Sequence, residues 1–193
     1  MGDIMTEAVS AHVPDQGWIC VSISQQRLWH LPVTSDSDSD LAPEALTLAQ
    51  LHHQAWWFCD VSTGEKGVGQ RKNSGQTPLG WHQIRAKIGA GAPVNTVFKG
   101  RRPTGEIHSP QLASRYPDRD WILTRILWLS GLEPGVNRLG DCDSMQRFIY
   151  FHGTPDSEPM GVARSHGCIR LHNADILALF DRVGAGTKVL IRP

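Results

Sequence analysis

Trp121 to Leu129 is the segment that most restricts the fold. Ile122, Thr124, Ile126 and Trp128 alternate there with Leu123, Arg125 and Leu127, which is the two-residue period of a β-strand. Other segments have the same look. Trp18 to Ser24 sets Trp18, Cys20 and Ser22 against Ile19, Val21 and Ile23. After Gln25-Gln26 a second alternating run, Arg27 to Val33, follows, so the two read as a β-hairpin. Trp56 to Ser62, Phe148 to Phe151 and Lys188 to Ile191 also have strand character. The chain holds 19 glycines and 12 prolines, many of them in the turns between these runs. Many short strands and few helices predict a mainly β protein, an antiparallel β-sandwich or partly open barrel with one or two short helices.

One helix is expected from Asn173 through Val183, with Asn173 as its cap. Asp175 sits in its first turn, Ile176, Phe180 and Val183 form an apolar stripe, and Gly184 and Gly186 end it. A shorter helix is expected within Ala42 to His53, opened by Pro43-Glu44. With 193 residues and 40% apolar composition the chain is sized for one domain with a real core. The expected layout is a tail over residues 1–16 and a single domain over 17–193, carrying a loop and short-helix insertion over 34–53. A formal net charge of zero and a pI near 7.1 recruit neither nucleic acid nor an anionic membrane. No apolar run approaches the roughly 18 residues of a membrane span. Met1 to Gly17 has neither the basic start nor the apolar core of a secretory signal, so a cytoplasmic protein is expected, with no obligate protein partner evident. Met1 to Thr6 formally fits the loose myristoylation pattern, which is set aside. Cys20, Cys59, Cys142 and Cys168 form no C-x-x-C pair, and free thiols suit a reducing compartment.

Several conspicuous stretches read as plain structure. Ser35 to Asp40 alternates serine and aspartate but lacks the spaced glycine and convergent ligands of a calcium loop. Gly64, Gly67, Gly69 and Gly75 lie in a flexible loop that is followed by Thr77-Pro78-Leu79-Gly80, not by the Lys-Ser or Lys-Thr of a phosphate cradle. Lys99-Gly100-Arg101-Arg102 reads as a solvated basic loop, and Asp141-Cys142-Asp143 as turn chemistry. Arg125, set among apolar neighbours, calls for an anion: Asp141 or Asp143, or a substrate carboxylate.

Arg147 to Asn173 looks built for chemistry. Phe148, Ile149, Tyr150 and Phe151 form a strand-like run ending at His152-Gly153, and a loop with Pro155, Pro159 and Gly161 returns through Ser165, His166 and Gly167 to Cys168. Two histidines and a cysteine are thereby brought together. A cysteine nucleophile needs a base, a partner that orients the base, and N–H donors for the developing oxyanion. His152 at a strand end is the better-held base, and the N–H groups of Gly167 and Cys168 are the natural donors. A zinc site using Cys168, His166, His172 and His152 is the remote alternative, since the ligand types suit zinc.

His152-Gly153, the loop, and Ser165-His166-Gly167-Cys168-Ile169-Arg170 resemble the signature of the L,D-transpeptidase catalytic domain (YkuD-like) family. The early Val-Ser-Ile-Ser run and Thr77-Pro78-Leu79-Gly80-Trp81-His82 resemble family segments too. The resemblance implies the same β fold and an enzyme that needs no cofactor or metal. It implies catalytic roles for Cys168 as the thioester-forming nucleophile, His152 as base and Gly153 through its carbonyl on that base, and Gly167 joins this catalytic set as the N–H donor named above. A substrate-binding set of His166, Arg170, Tyr150, Ser165, Trp81 and Arg125 is expected beside them. The implied substrate is a murein tetrapeptide cut at its L,D bond. Without an export signal, L,D-carboxypeptidase action on recycled fragments is expected ahead of cross-linking or D-amino-acid exchange.

Overall fold

The two alternating runs near the start pair as expected. In the computed structural model, which describes residues 17–33 and 42–193, β1 (Trp18–Ser22) and β2 (Arg27–Leu31) form an antiparallel hairpin. The tail over 1–16, the myristoylation pattern, the Ser35–Asp40 run and the start of the 34–53 insertion lie outside the described residues. Alternation splits the hairpin between two cores. Ile19, Val21 and Leu28 face the main core, while Cys20, Trp29 and Leu31 pack with Leu46 and Leu51 on the other side.

Leu51 belongs to α1 (Leu48–Gln54). This helix starts later than Pro43-Glu44 suggests, because Pro43–Ala45 makes only a 3-10 turn. Thr47 is the cap: its hydroxyl accepts the Gln50 N–H, and the Gln50 side chain accepts the Thr47 N–H. β3 (Trp57–Asp60) then adds to the hairpin.

The remaining strands are β4 (Gly80–Ile88), β5 (Thr96–Lys99), β6 (Arg102–Ile107), β7 (Ile122–Gly131), β8 (Tyr150–Gly153), β9 (Ile169–Leu171) and β10 (Lys188–Arg192). Two further helices are α2 (Pro110–Arg115), capped by Ser109, and α3 (Asn173–Arg182). The fold class is the expected one, mainly β, with the sheet curled into a half-barrel. Two pairings are parallel, β1 with β10 and β8 with β9, so the sheet is mixed. Three α-helices accompany it among the described residues.

β7 is the hub. β4 and β5 occupy one of its edges in succession and β8 takes the other, since Ile126 pairs with both Ile88 and His152 while Leu123 pairs with both Val97 and Gly153. The simple alternation expected for β7 breaks between Leu123 and Ile126, where the β8 register shifts and Thr124 adopts φ 68. A β-branched residue rarely takes this conformation. The bulge turns Arg125 away from the partners expected of it. Its guanidinium donates to the Ala92 and Thr124 carbonyls and lies 5.5 Å from the centre of the Phe180 ring. Asp143 instead takes the N–H groups of Leu139 and Gln146, as a turn residue should.

The helix α3 closes the main core with Ile176, Leu179, Phe180 and Val183 against Leu127, Phe151 and Leu171. Each such side chain, fully buried, contributes about 1.5–3 kcal/mol. Lys87 on β4 donates to the Phe180 and Val183 carbonyls and so caps the negative end of α3. At the other end His172, not Asn173, holds the cap position. The Asn173 side chain is diverted inward, accepting from the Thr124 hydroxyl and donating to Asn95 and Thr154.

His82 on β4 is fully buried, its Nδ1–H donating to Gly80 and its Nε2 accepting from Ser144. Burial pushes its pKa down to about 4. Below its ordinary value the unfolded chain binds a proton that the folded one refuses, so stability is full above about pH 6.5 and falls as pH drops toward 4. The expected loss is about 3 kcal/mol from this group. Urea unfolding of wild type and His82→Asn at pH 7 and pH 4.5 checks it: the gap between the two proteins should shrink at the lower pH.

Candidate active site

β8 and β9 lie side by side in parallel, with Phe151 opposite Ile169, His152 opposite Arg170 and Gly153 opposite Leu171. Registered partners share a face and neighbours alternate. Phe151, Ile169 and Leu171 accordingly point into the main core. Tyr150, His152, Cys168 and Arg170 share the other face. Cys168 extends the register opposite Tyr150 and packs against the cluster of Tyr150, Ile126 and Phe98. It is therefore one diagonal step from His152, a strand spacing of about 7–8 Å that side chains can bridge.

His152 is 1% exposed, and its Nδ1–H donates to the Gly153 carbonyl at 2.8 Å. That fixes the tautomer and leaves Nε2 as the proton acceptor. Burial pushes the imidazole pKa down and Arg170 adds to this, against the pull of Asp120 and the Gly153 carbonyl. Gly153 has to be glycine: a Cβ would stand 2.7 Å from both Asn173 Oδ1 and the Leu123 carbonyl. The buried Asn173 network thus seats the carbonyl that orients His152.

The Cys168 thiol donates to the Phe148 carbonyl at 3.3 Å and receives the Tyr150 N–H. Burial pushes it up to about 12, although the Tyr150 N–H, Arg170 and Arg147 all favour the thiolate. At neutral pH the resting pair is a thiol beside a neutral imidazole. Phe148 itself adopts φ 59, so a non-glycine residue in a strained conformation supports the sulfur.

Gly167 adopts φ 117, and a Cβ there would lie 2.9 Å from the Gln76 carbonyl. Its N–H donates to Ser165 Oγ at 3.1 Å, and the Ser165 hydroxyl donates to the Cys168 carbonyl at 2.5 Å. The expectation that Gly167 offers an oxyanion donor is corrected here, because that N–H is engaged inside the turn. The Cys168 N–H is the donor left for the task. Ser165, 2% exposed, spends its hydroxyl inside the turn. The glycine loop taken for plain loop is the bed of this turn: the Thr77 hydroxyl donates to the Gly167 carbonyl, and Glu65 N–H donates to Ser165.

Arg170 and His166 converge on a residue that the sequence reading passed over. Asp120 accepts from Arg170 at 2.7 Å and lies 3.3 Å from His166 Nδ1. Burial raises the Asp120 carboxyl, but His152, Arg170 and His166 together outweigh it and leave its pKa below normal. Arg170 is buried and pairs in register with His152, so Asp120 supplies the counter-charge it needs.

Two depressions of about 610 and 620 Å³ meet at Arg119 and Asp120. The first is lined by Glu65, Glu158, Arg164, His166 and Arg170, the second by Lys99, Thr104, Glu106 and Tyr116. Tyr150 stands beside Cys168, and its hydroxyl accepts from Arg101. Arg101 is itself sandwiched 4.6 Å from Trp128 and 4.7 Å from Phe148, so this part of the basic run is no solvated loop. Trp81 and Arg125 line neither depression. The Trp81 indole packs on Trp18 and donates to Glu44, on the β4 side of the sheet. The zinc alternative gains no support. His172 pairs with the Glu158 carbonyl, and among the described residues no three His, Cys, Asp or Glu side chains converge as a ligand set.

Residues 16–191 match the family described as YkuD: L,D-transpeptidase catalytic domain. The chain is 50% identical over 42 residues to YkuD of Bacillus licheniformis, covering 22% of this chain and 26% of that protein. It is 46% identical over 43 residues to YbiS of Escherichia coli K12, covering 22% and 14%. Both carry the name L,D-transpeptidase, and the matched stretch spans about a quarter of their length or less. Bd1075 of Bdellovibrio bacteriovorus superposes with a TM-score of 0.52 at 14% identity, covering 94% of this chain and 49% of that one. L,D-transpeptidase 3 of Mycobacterium tuberculosis does so with a TM-score of 0.50 at 18% identity, covering 93% and 62%. At such identities these two structures show a shared fold. The family match runs through the hairpin, His152 and Cys168 alike, and by it the chain belongs to the L,D-transpeptidase catalytic domain (YkuD) family.

Proposed function

We propose that the protein is a cysteine acyl-enzyme catalyst that removes the terminal D-alanine from murein tetrapeptides, an L,D-carboxypeptidase. The observation that carries the chemistry is His152, its Nδ1 held by Gly153 and its Nε2 turned to the face that bears Cys168. As sulfur attacks the diamino-acid carbonyl, His152 takes the thiol proton and the Cys168 N–H meets the oxyanion. Collapse breaks the C–N bond, and the proton leaves with the D-alanine amine. Water then adds to the thioester, His152 takes its proton, and the tripeptide acid leaves as the proton returns to sulfur.

Water as acceptor is supported by the charge of the second depression. An acceptor ammonium needs an unoccupied carboxylate, and the two that the second depression offers are already engaged: Glu106 holds Arg119 and Asp120 holds Arg170. Lys99 adds repulsion there. Cross-linking is the second reading, favoured by the near-equal size of the two depressions and their junction at Asp120. A cytoplasmic setting belongs to the first reading, and the free state of all four cysteines suits it. Mass analysis of products from tetrapeptide alone separates the two. Tripeptide and free D-alanine are expected, with dimer or exchanged tetrapeptide only at high added amine. Dimer as the main product at low substrate concentration replaces the carboxypeptidase reading with cross-linking.

A further inference from the structure

A third cavity, of about 370 Å³, opens on the other side of His166 and is lined by Lys72, Gln146, Arg147 and Phe148. It differs from the other two in charge: no aspartate or glutamate lines it, and no ion pair among the described residues uses Lys72 or Arg147. Arg147 is held by neutral groups alone, donating to the Gly69 carbonyl at 3.0 Å, the Gln76 carbonyl at 2.6 Å and the Ser74 hydroxyl at 3.3 Å. Its charge is therefore fixed in place and not neutralised. Lys72 is exposed at the rim.

This cationic cavity is tied to the nucleophile from two sides. Phe148 lines it, and the Phe148 carbonyl receives the Cys168 thiol at 3.3 Å. The Gln76 carbonyl that accepts from Arg147 is also the one against which Gly167 packs, so one peptide sets the distance between the guanidinium and the cysteine turn. The Arg147 charge in turn favours the Cys168 thiolate when it forms.

We propose that this cavity binds the free α-carboxylate of the leaving residue, and that Lys72 and Arg147 thereby make the enzyme a reader of chain ends. The inference rests on the carboxypeptidase reading above. In a leaving amino acid the carboxylate sits on the carbon bonded to the scissile nitrogen, so a cationic site beside the nucleophile meets it at once. A peptide that continues past this residue presents a neutral amide instead and loses the charge-assisted hydrogen bonds. The two larger depressions suit this task less well, because acidic side chains line both, Glu65 and Glu158 in the first and Glu106 in the second.

Two measurements test the proposal. The first compares kcat/KM for a murein tetrapeptide ending in a carboxylate with that for the same peptide ending in a carboxamide. Wild type should prefer the acid by about tenfold to a hundredfold, the range of a charge-assisted contact. Lys72→Met should narrow that ratio, and Lys72→Glu should narrow it further. A ratio near one in wild type, or variants that slow both peptides alike, overturns the site. The second titrates N-acetyl-D-alanine and its amide into the Cys168→Ala protein by NMR, which needs no turnover. The acid should bind at least about tenfold more tightly than the amide, and Lys72→Met in that background should remove the difference. Equal binding overturns the proposal. Selective binding by a protein that cleaves neither peptide keeps the carboxylate site and overturns the carboxypeptidase reading.

Discussion

The Cys168→Ala protein should release no D-alanine from a murein tetrapeptide while unfolding at the same temperature as wild type. Only the sulfur is lost, and it packs at the edge of the cluster around Tyr150. Its hydrogen bond to Phe148 is a weak thiol bond whose removal leaves that carbonyl beside an open groove. Cys168→Ser should be nearly as inactive. The thiol is already held up to about 12 by burial, and a hydroxyl in its place is a far weaker acid that the same neutral imidazole cannot deprotonate. Cys20 and Cys59 are buried in the two hydrophobic cores and serve packing, so alanine there should cost stability and leave turnover per folded molecule unchanged. The check is D-alanine release together with thermal unfolding for each variant. Near-normal release from Cys168→Ala ends the thiol mechanism.

What the sequence made legible follows the reach of each signal. Period-two alternation is local and strong, so the β1–β2 hairpin and β7 stand where the pattern puts them, while the strand that carries His152 starts only at Tyr150 because Phe148 turns at φ 59. The slip in β7 is not legible, because the bulge at Thr124 and Arg125 is set by pairing with β8, a partner far along the chain. Capping was off by one residue at α3 for a similar reason. Asn173 is a good cap by type, but its amide is drawn into the buried contacts that seat Gly153. The cysteine stretch could be found because its residue types are adjacent in sequence. Asp120 could not, since nothing in Pro117 to Asp120 marks it until the fold lays it against Arg170 and His166. Arg147 stood only as the first residue of the stretch that looks built for chemistry, and its part as a brace between two loops comes from the fold.

His152→Ala or His152→Gln should lower kcat/KM by about a hundredfold or more, the usual effect of removing a general base. The resting thiol makes this loss larger than in a site with a preformed thiolate, since every attack on the carbonyl needs the proton taken away in the same step. It also fixes the direction of the pH dependence. Activity needs neutral His152, and burial with Arg170 lowers its pKa, so the acid limb of kcat/KM should fall below the ordinary imidazole value of about 6.5. His166→Ala should cost less, because that ring is largely exposed and touches Asp120 from the outside. The order of the two losses is what decides the assignment. His166 carries an acidic partner and sits on the turn that delivers Cys168, so it is the natural rival for the role of base. Were it the base, its removal would produce the larger loss, and His152→Gln, which can keep a hydrogen bond to Gly153, would retain most of the activity. Rates of Cys168 alkylation and of D-alanine release across pH, measured on both variants, distinguish the two histidines. If His152→Gln keeps the wild-type acid limb while His166→Ala loses it, proton transfer belongs to His166 and the orientation of His152 by Gly153 is structural.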